Sequence, residues 1–421
     1  MPSSSVVGGA LCVGGSRNGI STRHRRPWLT RSSSTVAVRV GPTVTCCVRL
    51  ITSDLGKAKL FDYITHREKT ANEDEDYNLS GLPDLVMAFE EAKTASISRL
   101  VELIGANPLS WEMLPQEALN SPEVWEALLD QGMPVTALIR QLPRLTRLQI
   151  LNGARMQAVA DRLCDTEVLA KGRVHPISML VALRTYASGH GARGSGIWTP
   201  LAKIIDALDA GFYAAFVSVE QTGKRTLLAL DVSGSLTSPV GGLPLSAREA
   251  TAALALITAR TEPEYEILGF TTSGASVMEG KQARFPWNNA ISQLTISPRQ
   301  RLDDVLKAVS NLPFCGTDCA LPMLWAIKNQ VEIDTFVVYT DFETWAGEIH
   351  PFQALQQYRE KMGIPAKLVV VGITSTEFSI ADPKDAGMLD VAGFDAAVPM
   401  VISDFSAAEI LTMVSAEISG T

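Results

Sequence analysis

The feature that most constrains the fold is an alternation, from Thr226 onward, of short apolar runs with longer amphipathic segments. Apolar runs of this length are typical of strands buried on both faces of a sheet, and the amphipathic segments have helical spacing. The predicted strands are Thr226–Asp231, Tyr265–Thr271, Thr335–Thr340, Lys367–Gly372 and Ala397–Ile402. The predicted helices are Ala247–Thr261, Arg301–Asn311, Ala320–Asn329, Phe352–Met362 and Ser406–Ile418. Strands and helices in alternation predict a doubly wound α/β domain with a parallel sheet.

Oxygen-bearing side chains follow two of the predicted strands and occupy one turn between them. Parallel strands end at the same edge of a sheet, where ligands of such folds bind. Mg²⁺ prefers about six oxygen ligands. The sequence therefore predicts a site for Mg²⁺ or another divalent cation, with Asp231, Ser233, Ser235, Thr317 and Asp341 as ligands.

Two other interpretations of the loop that begins at Asp231 stay open. The loop could cap a helix through its Asp and Ser side chains without an ion, because these residues are common at helix starts. Asp231 could instead be the nucleophile of a phosphotransferase. Those enzymes carry Asp-x-Asp, however, and residue 233 is serine.

Residues 54–216 show a second pattern, in which short segments with one apolar face alternate with Gly, Pro and Asn. The predicted helices are Leu82–Ala92, Ile97–Ile104, Pro122–Leu129, Val135–Leu142, Leu148–Cys164, His175–Ala187 and Leu201–Phe216. Ser121–Pro122 and Thr199–Pro200 each have the pattern of an N-cap followed by proline at the first helical position. Short helices with few strand signals predict an α-solenoid or a stack of helical pairs.

Residues 1–50 contain seven arginines and no lysine, aspartate or glutamate, in a chain whose net charge is −8. Three interpretations stay open: an organellar transit peptide, a basic arm that contacts RNA phosphates, or translated sequence that was never selected to fold. We expect disorder here. The predicted organisation is a disordered Arg-rich segment at 1–53, a helical region at 54–222 and the α/β domain at 223–421.

A strongly positive stretch lies in the helical region between Arg140 and Arg193, where acids are few. It predicts a surface that contacts RNA phosphates, although an ordinary solvated helix surface would have the same composition. The candidate RNA contacts are Arg140, Arg144, Arg147, Lys171, Arg173, His175, His190 and Arg193.

Composition disfavours several classes of protein. No apolar run reaches the roughly 18 residues that a membrane-spanning helix needs. The six cysteines are sparse for a disulfide scaffold, and a pI near 5.3 argues against a histone-like protein. The five histidines lie in no motif that pairs a nucleophile with a base, so we expect no enzymatic activity.

Two sets of motifs resemble known families. Asp231-x-Ser-x-Ser, with the later Gly-Thr-Asp and Thr-Asp, resembles the metal-ion-dependent adhesion site of von Willebrand factor A domains. Longer stretches resemble the Ro/SS-A autoantigen family, which combines a TROVE module with such a domain. In the α/β half these are 316–323, 364–368, 372–375, 380–383, 387–390 and 393–395. In the helical half they are 124–129, 136–140, 175–176, 189–191 and 222–225.

The resemblance runs from about residue 97 to the C terminus. The early helical repeats of the family have no counterpart here, so the chain resembles an N-terminally shortened or divergent member. The resemblance implies a fold of α-helical HEAT-like repeats followed by an α/β doubly wound domain of the von Willebrand factor A, Rossmann-like type.

Family members bind small noncoding Y RNAs outside a ring of repeats and take single-stranded ends of misfolded RNAs into its hole. The resemblance therefore implies a non-enzymatic, RNA-binding ribonucleoprotein component of RNA quality control. Its implied partners are small noncoding RNA, single-stranded RNA ends, and an exoribonuclease or another protein at the metal site, with no membrane. The implied location is cytoplasmic, or organellar if residues 1–50 are a transit peptide. The alternative is a Mg²⁺-dependent protein-interaction module with little or no RNA binding.

Overall fold

The computed structural model describes residues 35–39, 45–49, 59–60, 62–63, 80–191, 196–271, 275–278, 281–284, 290–312, 316–341, 347–373, 380–394 and 397–408. Residues 1–90 form one compact unit and residues 91–421 form another. In the first unit, strands β1 (Thr35–Arg39) and β2 (Thr45–Arg49) pair antiparallel, and Leu60 and Tyr63 are buried. The other residues of the predicted disordered segment lie outside the described ranges.

From residue 84 to the sheet, the described chain is mostly helical. The helices are α1 (Asp84–Ala92), α2 (Ile97–Ala106), α3 (Pro122–Asp130), α4 (Val135–Arg147), α5 (Gly153–Cys164), α6 (Thr166–Lys171), α7 (Pro176–Ser188) and α8 (Ala202–Ala214). Short 3₁₀ turns are Trp111–Met113, Ala118–Asn120 and Ala215–Ser218. The prediction of a helical region is thus confirmed over the part of it that the structure describes.

The helices bury one face each against their neighbours. Helix α7 packs against α4 and α8, and α8 packs against α5. Tyr186 and Phe212 are fully buried between them, and Trp125 of α3 is fully buried as well. The hydroxyl of Tyr186 lies 2.8 Å from Thr146 Oγ1 on α4, so a polar contact also fixes α7 against α4.

A six-stranded sheet forms the centre of the C-terminal part. Its strands are β3 (Thr226–Asp231), β4 (Tyr265–Phe270), β7 (Ile291–Gln293), β8 (Thr335–Thr340), β9 (Lys367–Gly372) and β10 (Met388–Ala392), in the order β10-β9-β8-β3-β4-β7. All neighbours are parallel except β7, which runs antiparallel to β4 at the edge. Strands β5 (Ala275–Met278) and β6 (Lys281–Arg284) form a separate antiparallel pair.

The sheet carries helices α9 (Ala247–Thr261), α10 (Leu302–Ser310), α11 (Leu321–Asn329), α12 (Pro351–Met362) and α13 (Val398–Ala407), with a 3₁₀ turn at Gly234–Thr237. Helices α11 and α12 pack together over a core that includes Phe336, Tyr358 and Met323. Because β3 is central and parallel to both β4 and β8, the carboxyl ends of all three strands meet at one edge.

Several predicted elements need correction. The predicted strand Ala397–Ile402 is wrong, because residues from Val398 are helical in α13 and β10 occupies the edge of the sheet beside β9. Proline at position 399 has no amide hydrogen for a sheet ladder, but it fits the first turn of a helix. Helix α13 therefore covers the start of the predicted Ser406–Ile418 helix, whose residues 409–418 lie outside the described ranges.

Helix boundaries in the first half also differ from the predictions. Helix α4 continues through Pro143 to Arg147 instead of ending at Leu142. Helix α5 begins only at Gly153, because Gln149 in the preceding turn and Gly153 itself adopt positive φ angles. Helix α8 begins at Ala202, so the residues at 199–200 do not form its N-cap and first position.

The helices before the sheet dock directly onto it. Arg184 of α7 forms an ion pair with Glu249 of α9 at 2.5 Å, and Glu249 is largely buried. Arg301 stacks over the Tyr213 ring at 4.2 Å, while the Tyr213 hydroxyl accepts a hydrogen bond from the Leu302 amide. These contacts join the end of the helical array to the α/β part.

Candidate functional site

Asp231 lies at the carboxyl end of β3 and is only 1% exposed. Its Oδ1 accepts a hydrogen bond from the backbone amide of Ser233 at 2.8 Å, and the Ser233 side chain also bonds to this carboxylate. Its Oδ2 accepts from Thr317 Oγ1 at 3.2 Å and from Thr340 Oγ1 at 2.9 Å. Groups from three separate segments thus converge on one buried carboxylate.

The turn that carries Thr317 is held against the end of β4. Thr271 Oγ1 donates to the carbonyl of Gly316 at 2.9 Å, and its own carbonyl accepts from the Asp318 amide at 3.1 Å. Asp318 is buried, and its Oδ1 caps the Ala320 amide at 3.1 Å. A Cβ at residue 347 would lie 2.6 Å from the Asp318 carboxylate, so glycine at this position leaves room for that side chain.

Thr340 links Asp341 to the same place. Its hydroxyl lies 2.9 Å from Asp231 Oδ2 and 3.4 Å from Asp341 Oδ1. Burial raises the pKa of Asp231 to about 6, with a smaller contribution from the negative charge of Asp341, while hydrogen bonds oppose the shift. Two carboxylates close enough to repel each other, in a site rich in hydroxyls, would both be stabilised by a cation.

The donors match the chemistry of a hard cation. Asp231, Ser233, Thr317 and Asp341 lie together at the predicted edge, while the side chain of Ser235 is outside what the structure describes. Among the described residues no group of three or more His, Cys, Asp and Glu side chains gathers at one place, so hydroxyls would have to complete the ligand set. The sequence motif includes Thr340 beside Asp341 but gave it no role as a ligand, and sequence reasoning missed Thr271, whose only signal was a hydroxyl at the end of a strand.

The predicted RNA contacts separate into distinct environments. Helix α4 carries Arg140, Arg144 and Arg147 and no acidic residue. On an ideal helix these three fall within an arc of about 60° and span about 10 Å of the axis, opposite the buried Leu138 and Leu142. No carboxylate among the described residues pairs with any of the three. We call these three residues the α4 arginine face.

The remaining candidates differ in exposure. Lys171, Arg173 and His190 are exposed, and Arg193 lies outside the described residues. A Cβ on Gly172 would lie 2.6 Å from Val135, which places Lys171 and Arg173 beside the start of α4. A Cβ on Gly196 would lie 3.7 Å from Arg147 Nη1, so the loop after α7 lies beside the C-terminal end of α4.

His175 has a capping role in the structure. Its Nδ1 accepts a hydrogen bond from the Ile177 amide at 3.1 Å at the start of α7, which leaves the proton of a neutral ring on Nε2. That Nε2 is buried and has no hydrogen-bond partner among the described residues. Burial lowers the pKa of His175 to about 4, so the ring is neutral near pH 7.

Comparisons with known proteins agree with this arrangement. The TROVE domain model matches residues 105–185, and the Ro60 vWA domain model matches residues 225–406. A Caenorhabditis elegans protein named RNA-binding protein RO60 is 43% identical over 329 residues, which cover 78% of this chain and 48% of the relative. Its namesake from Deinococcus radiodurans is 45% identical over 306 residues, which cover 70% and 54%.

A crystal structure of the Deinococcus radiodurans RO (RSR) protein superposes with a TM-score of 0.70 at 39% identity. The alignment covers 83% of this chain and 67% of that chain. The chain belongs to the Ro family. The two RO60 relatives are longer, and this Ro chain spans about half the length of each.

Both candidate sites lie within the matched regions of this Ro chain. The α4 arginine face falls inside the TROVE match, and Asp231, Thr317 and Asp341 fall inside the Ro60 vWA match. The fold prediction of a helical region followed by a von Willebrand factor A-like sheet is confirmed. No helix among the described residues has the length and apolar character to span a bilayer.

Proposed function

We propose that this Ro-family chain is an RNA-binding component of ribonucleoproteins that binds small noncoding Y-type RNAs or misfolded RNAs in RNA quality control. The observation that carries the proposal is the α4 arginine face, with three arginines on one side of a helix that has no acid, of which Arg140 and Arg147 are exposed. Arginine donors that no carboxylate neutralises are the groups that contact phosphates in protein–RNA complexes.

The relatives support the same function. Two proteins that share 43% and 45% identity with this chain are named as RNA-binding proteins. In this proposal the protein binds RNA without an enzymatic reaction of its own and acts in the cytoplasm. Small noncoding RNA and single-stranded RNA ends are its ligands, and an exoribonuclease is a further partner.

The test is RNA binding by the full chain at several salt concentrations. We expect log K to fall linearly with log salt, with a slope of about −0.7 for each phosphate contacted on a single strand. Replacing Arg140 and Arg147 by Gln should therefore make the slope shallower by about 1.4. The matched control is Arg155→Gln. This substitution should leave the slope unchanged, because Arg155 is already paired with Glu126 and Asp130. Failure of the wild-type chain to retain RNA at low salt would refute the proposal.

We also propose that Asp231, Ser233, Ser235, Thr317 and Asp341 hold Mg²⁺ or another divalent cation at the edge of the sheet. Buried oxygen donors from three segments, with an Asp231 pKa raised by burial, support this site. When bound, the cation would supply positive charge that could attract an acidic group of a partner protein.

Calorimetric titration with Mg²⁺ tests the metal site. We expect Asp231→Asn to abolish the binding heat, because the carboxylate at the centre of the donor set is lost. Asp209→Asn is the matched control, since Asp209 lies on α8 and pairs with Arg301 away from this edge. If Asp231→Asn gave the same binding heat as the wild-type chain, the metal site would be wrong. If chelation of the cation left capture of a partner protein unchanged, the metal-dependent role would be wrong, while RNA binding would be unaffected in either case.

A further inference from the structure

Arg144 differs from the other two members of the α4 arginine face. Arg140 and Arg147 are exposed, whereas Arg144 is partly buried and its guanidinium lies over the ring of Trp125 at 5.6 Å. Trp125 is fully buried, and its own Nε1 donates to the Leu119 carbonyl at 2.8 Å. Arg144 therefore rests on a fixed aromatic surface, which limits the positions that its guanidinium can take.

Arg144 also lacks the partners that a buried cation normally has. Its Nη1 is buried and makes no hydrogen bond with any described residue, and no carboxylate pairs with it. Burial and the neighbouring charge of Arg147 both lower the pKa of the Arg144 guanidinium. An unpaired charge and an unsatisfied donor each destabilise the folded protein, and an anionic ligand group at this place would compensate both.

A second unsatisfied donor lies at the same tryptophan. Trp111 stacks on Trp125 with ring centroids 6.4 Å apart, and its Nε1 is likewise buried with no hydrogen-bond partner among the described residues. Arg144 and Trp111 thus each leave one buried donor unsatisfied next to Trp125. The planar fork of Arg144, with the charge of Arg147 nearby, favours an anion with several oxygens.

We propose that Arg144, supported by Trp125 and assisted by Arg147, forms a pre-organised subsite for one phosphate group of a bound RNA strand. This inference rests on the proposed RNA-binding function and makes it specific. Arg140 contacts phosphates through its exposed positive charge, which a lysine at this position would also supply. Arg144 contacts its phosphate through the planar guanidinium fork, which a lysine cannot supply.

The experiment compares two substitutions that keep the charge. We expect Arg144→Lys to weaken binding of a single-stranded oligonucleotide about tenfold, because the two-pronged hydrogen bonds are lost. Arg155→Lys is the matched control, because Arg155 pairs with Glu126 and Asp130 outside the α4 arginine face, and this variant should stay within about twofold of wild type. Equal affinity of both variants would overturn the subsite.

A third variant separates a ligand-binding role from a structural one. Arg144→Met fits beside the Trp125 ring without a charge. We expect an unchanged or higher Tm and loss of at least tenfold in RNA affinity, since the uncompensated buried charge is removed. A lower Tm with unaltered RNA affinity would assign Arg144 a structural role and overturn the proposal.

Inorganic phosphate distinguishes failure of the subsite from failure of the proposed function. If the wild-type chain binds no RNA but phosphate raises its Tm and not that of Arg144→Met, the anion subsite stands and RNA binding is wrong. If RNA binds and Arg144→Lys behaves like wild type, RNA binding stands and the subsite is wrong. If neither RNA nor phosphate has an effect on the wild-type chain, both are wrong.

Discussion

His175→Asn is expected to remove a specific part of the acid sensitivity of the fold. Asn can accept the Ile177 amide hydrogen bond that His175 Nδ1 now accepts, and it is among the best N-cap residues. It cannot take up a proton. The substitution therefore keeps the cap of α7 and deletes a buried group whose pKa is lowered from 6.5 to about 4.

The size of the effect follows from linkage. Above pH 6.5 the ring is neutral in both states, and it contributes no pH dependence. As the pH falls below 6.5, the unfolded chain binds a proton that the folded chain refuses until about pH 4, so folding stability is lost across this window. The loss is about 2 kcal/mol at pH 5 and about 3 kcal/mol when complete.

Urea unfolding at pH 7.5 and pH 5 measures this loss. The free energy of unfolding should drop between the two pH values by about 2 kcal/mol less in His175→Asn than in wild type. Any fixed cost of the smaller side chain cancels, because it is present at both pH values. An equal drop in both proteins, or an NMR titration that places the His175 pKa near 6.5, would refute the reasoning.

Two further predictions concern packing and docking. Gly211→Ala should lower the free energy of unfolding by about 1–3 kcal/mol, because the added Cβ would lie 2.4 Å from the Leu163 carbonyl oxygen. Gly105→Ala should raise it by up to about 1 kcal/mol, because the added Cβ meets nothing within 4 Å. Thermal unfolding of both variants checks this contrast. Arg184→Ala should destabilise the chain by about 2 kcal/mol, because it leaves the nearly buried Glu249 charge without a partner. This value lies between those of exposed and buried ion pairs. Equal urea midpoints for the variant and the wild type would contradict the prediction.

The strongly periodic elements of the α/β part could be predicted from the sequence almost residue by residue. Strand β3 and helix α9 have the predicted bounds Thr226–Asp231 and Ala247–Thr261. The first is a short apolar run that suits only a buried strand, and the second is a long amphipathic run that suits only a helix. The run at 397–402 failed this condition, because apolar residues beside a proline suit either an edge strand or a helix, and only the neighbouring β10 decides between them.

The candidate metal residues could also be placed, since parallel strands bring their carboxyl ends together whatever the loops between them do. Asp231, Thr317 and Asp341 are joined by hydrogen bonds directly or through Thr340. Thr340 was named only as part of the Thr-Asp motif and given no role in the site, because it belongs to a buried strand, where a threonine usually contributes only its β-branched shape. The ion stays a prediction.

In the positive stretch between Arg140 and Arg193, composition cannot tell which basic side chains are already paired with other groups of the protein. Arg155 pairs with two acids, Arg184 pairs with Glu249, Arg162 donates to the Met133 carbonyl, and His175 is neutral. Charges of this kind are already compensated, so counting them overstates the attraction for RNA. The uncompensated cations on α4 are a much smaller set, and only the three-dimensional fold separates the two groups.

The first turn of α9 connects the two proposed sites. Arg248 donates to the carbonyl of Ser233 at 3.3 Å, in the loop of the proposed metal site. The next residue, Glu249, pairs with Arg184 of α7, and α7 contacts α4 through the hydrogen bond between Tyr186 and Thr146. Consecutive residues of one helical turn thus hold the edge of the sheet and the helical array in fixed positions within the unit of residues 91–421. Separating the array from the sheet would break the Arg184–Glu249 ion pair and expose the surfaces packed around it, so the contact holds both proposed sites within one compact unit.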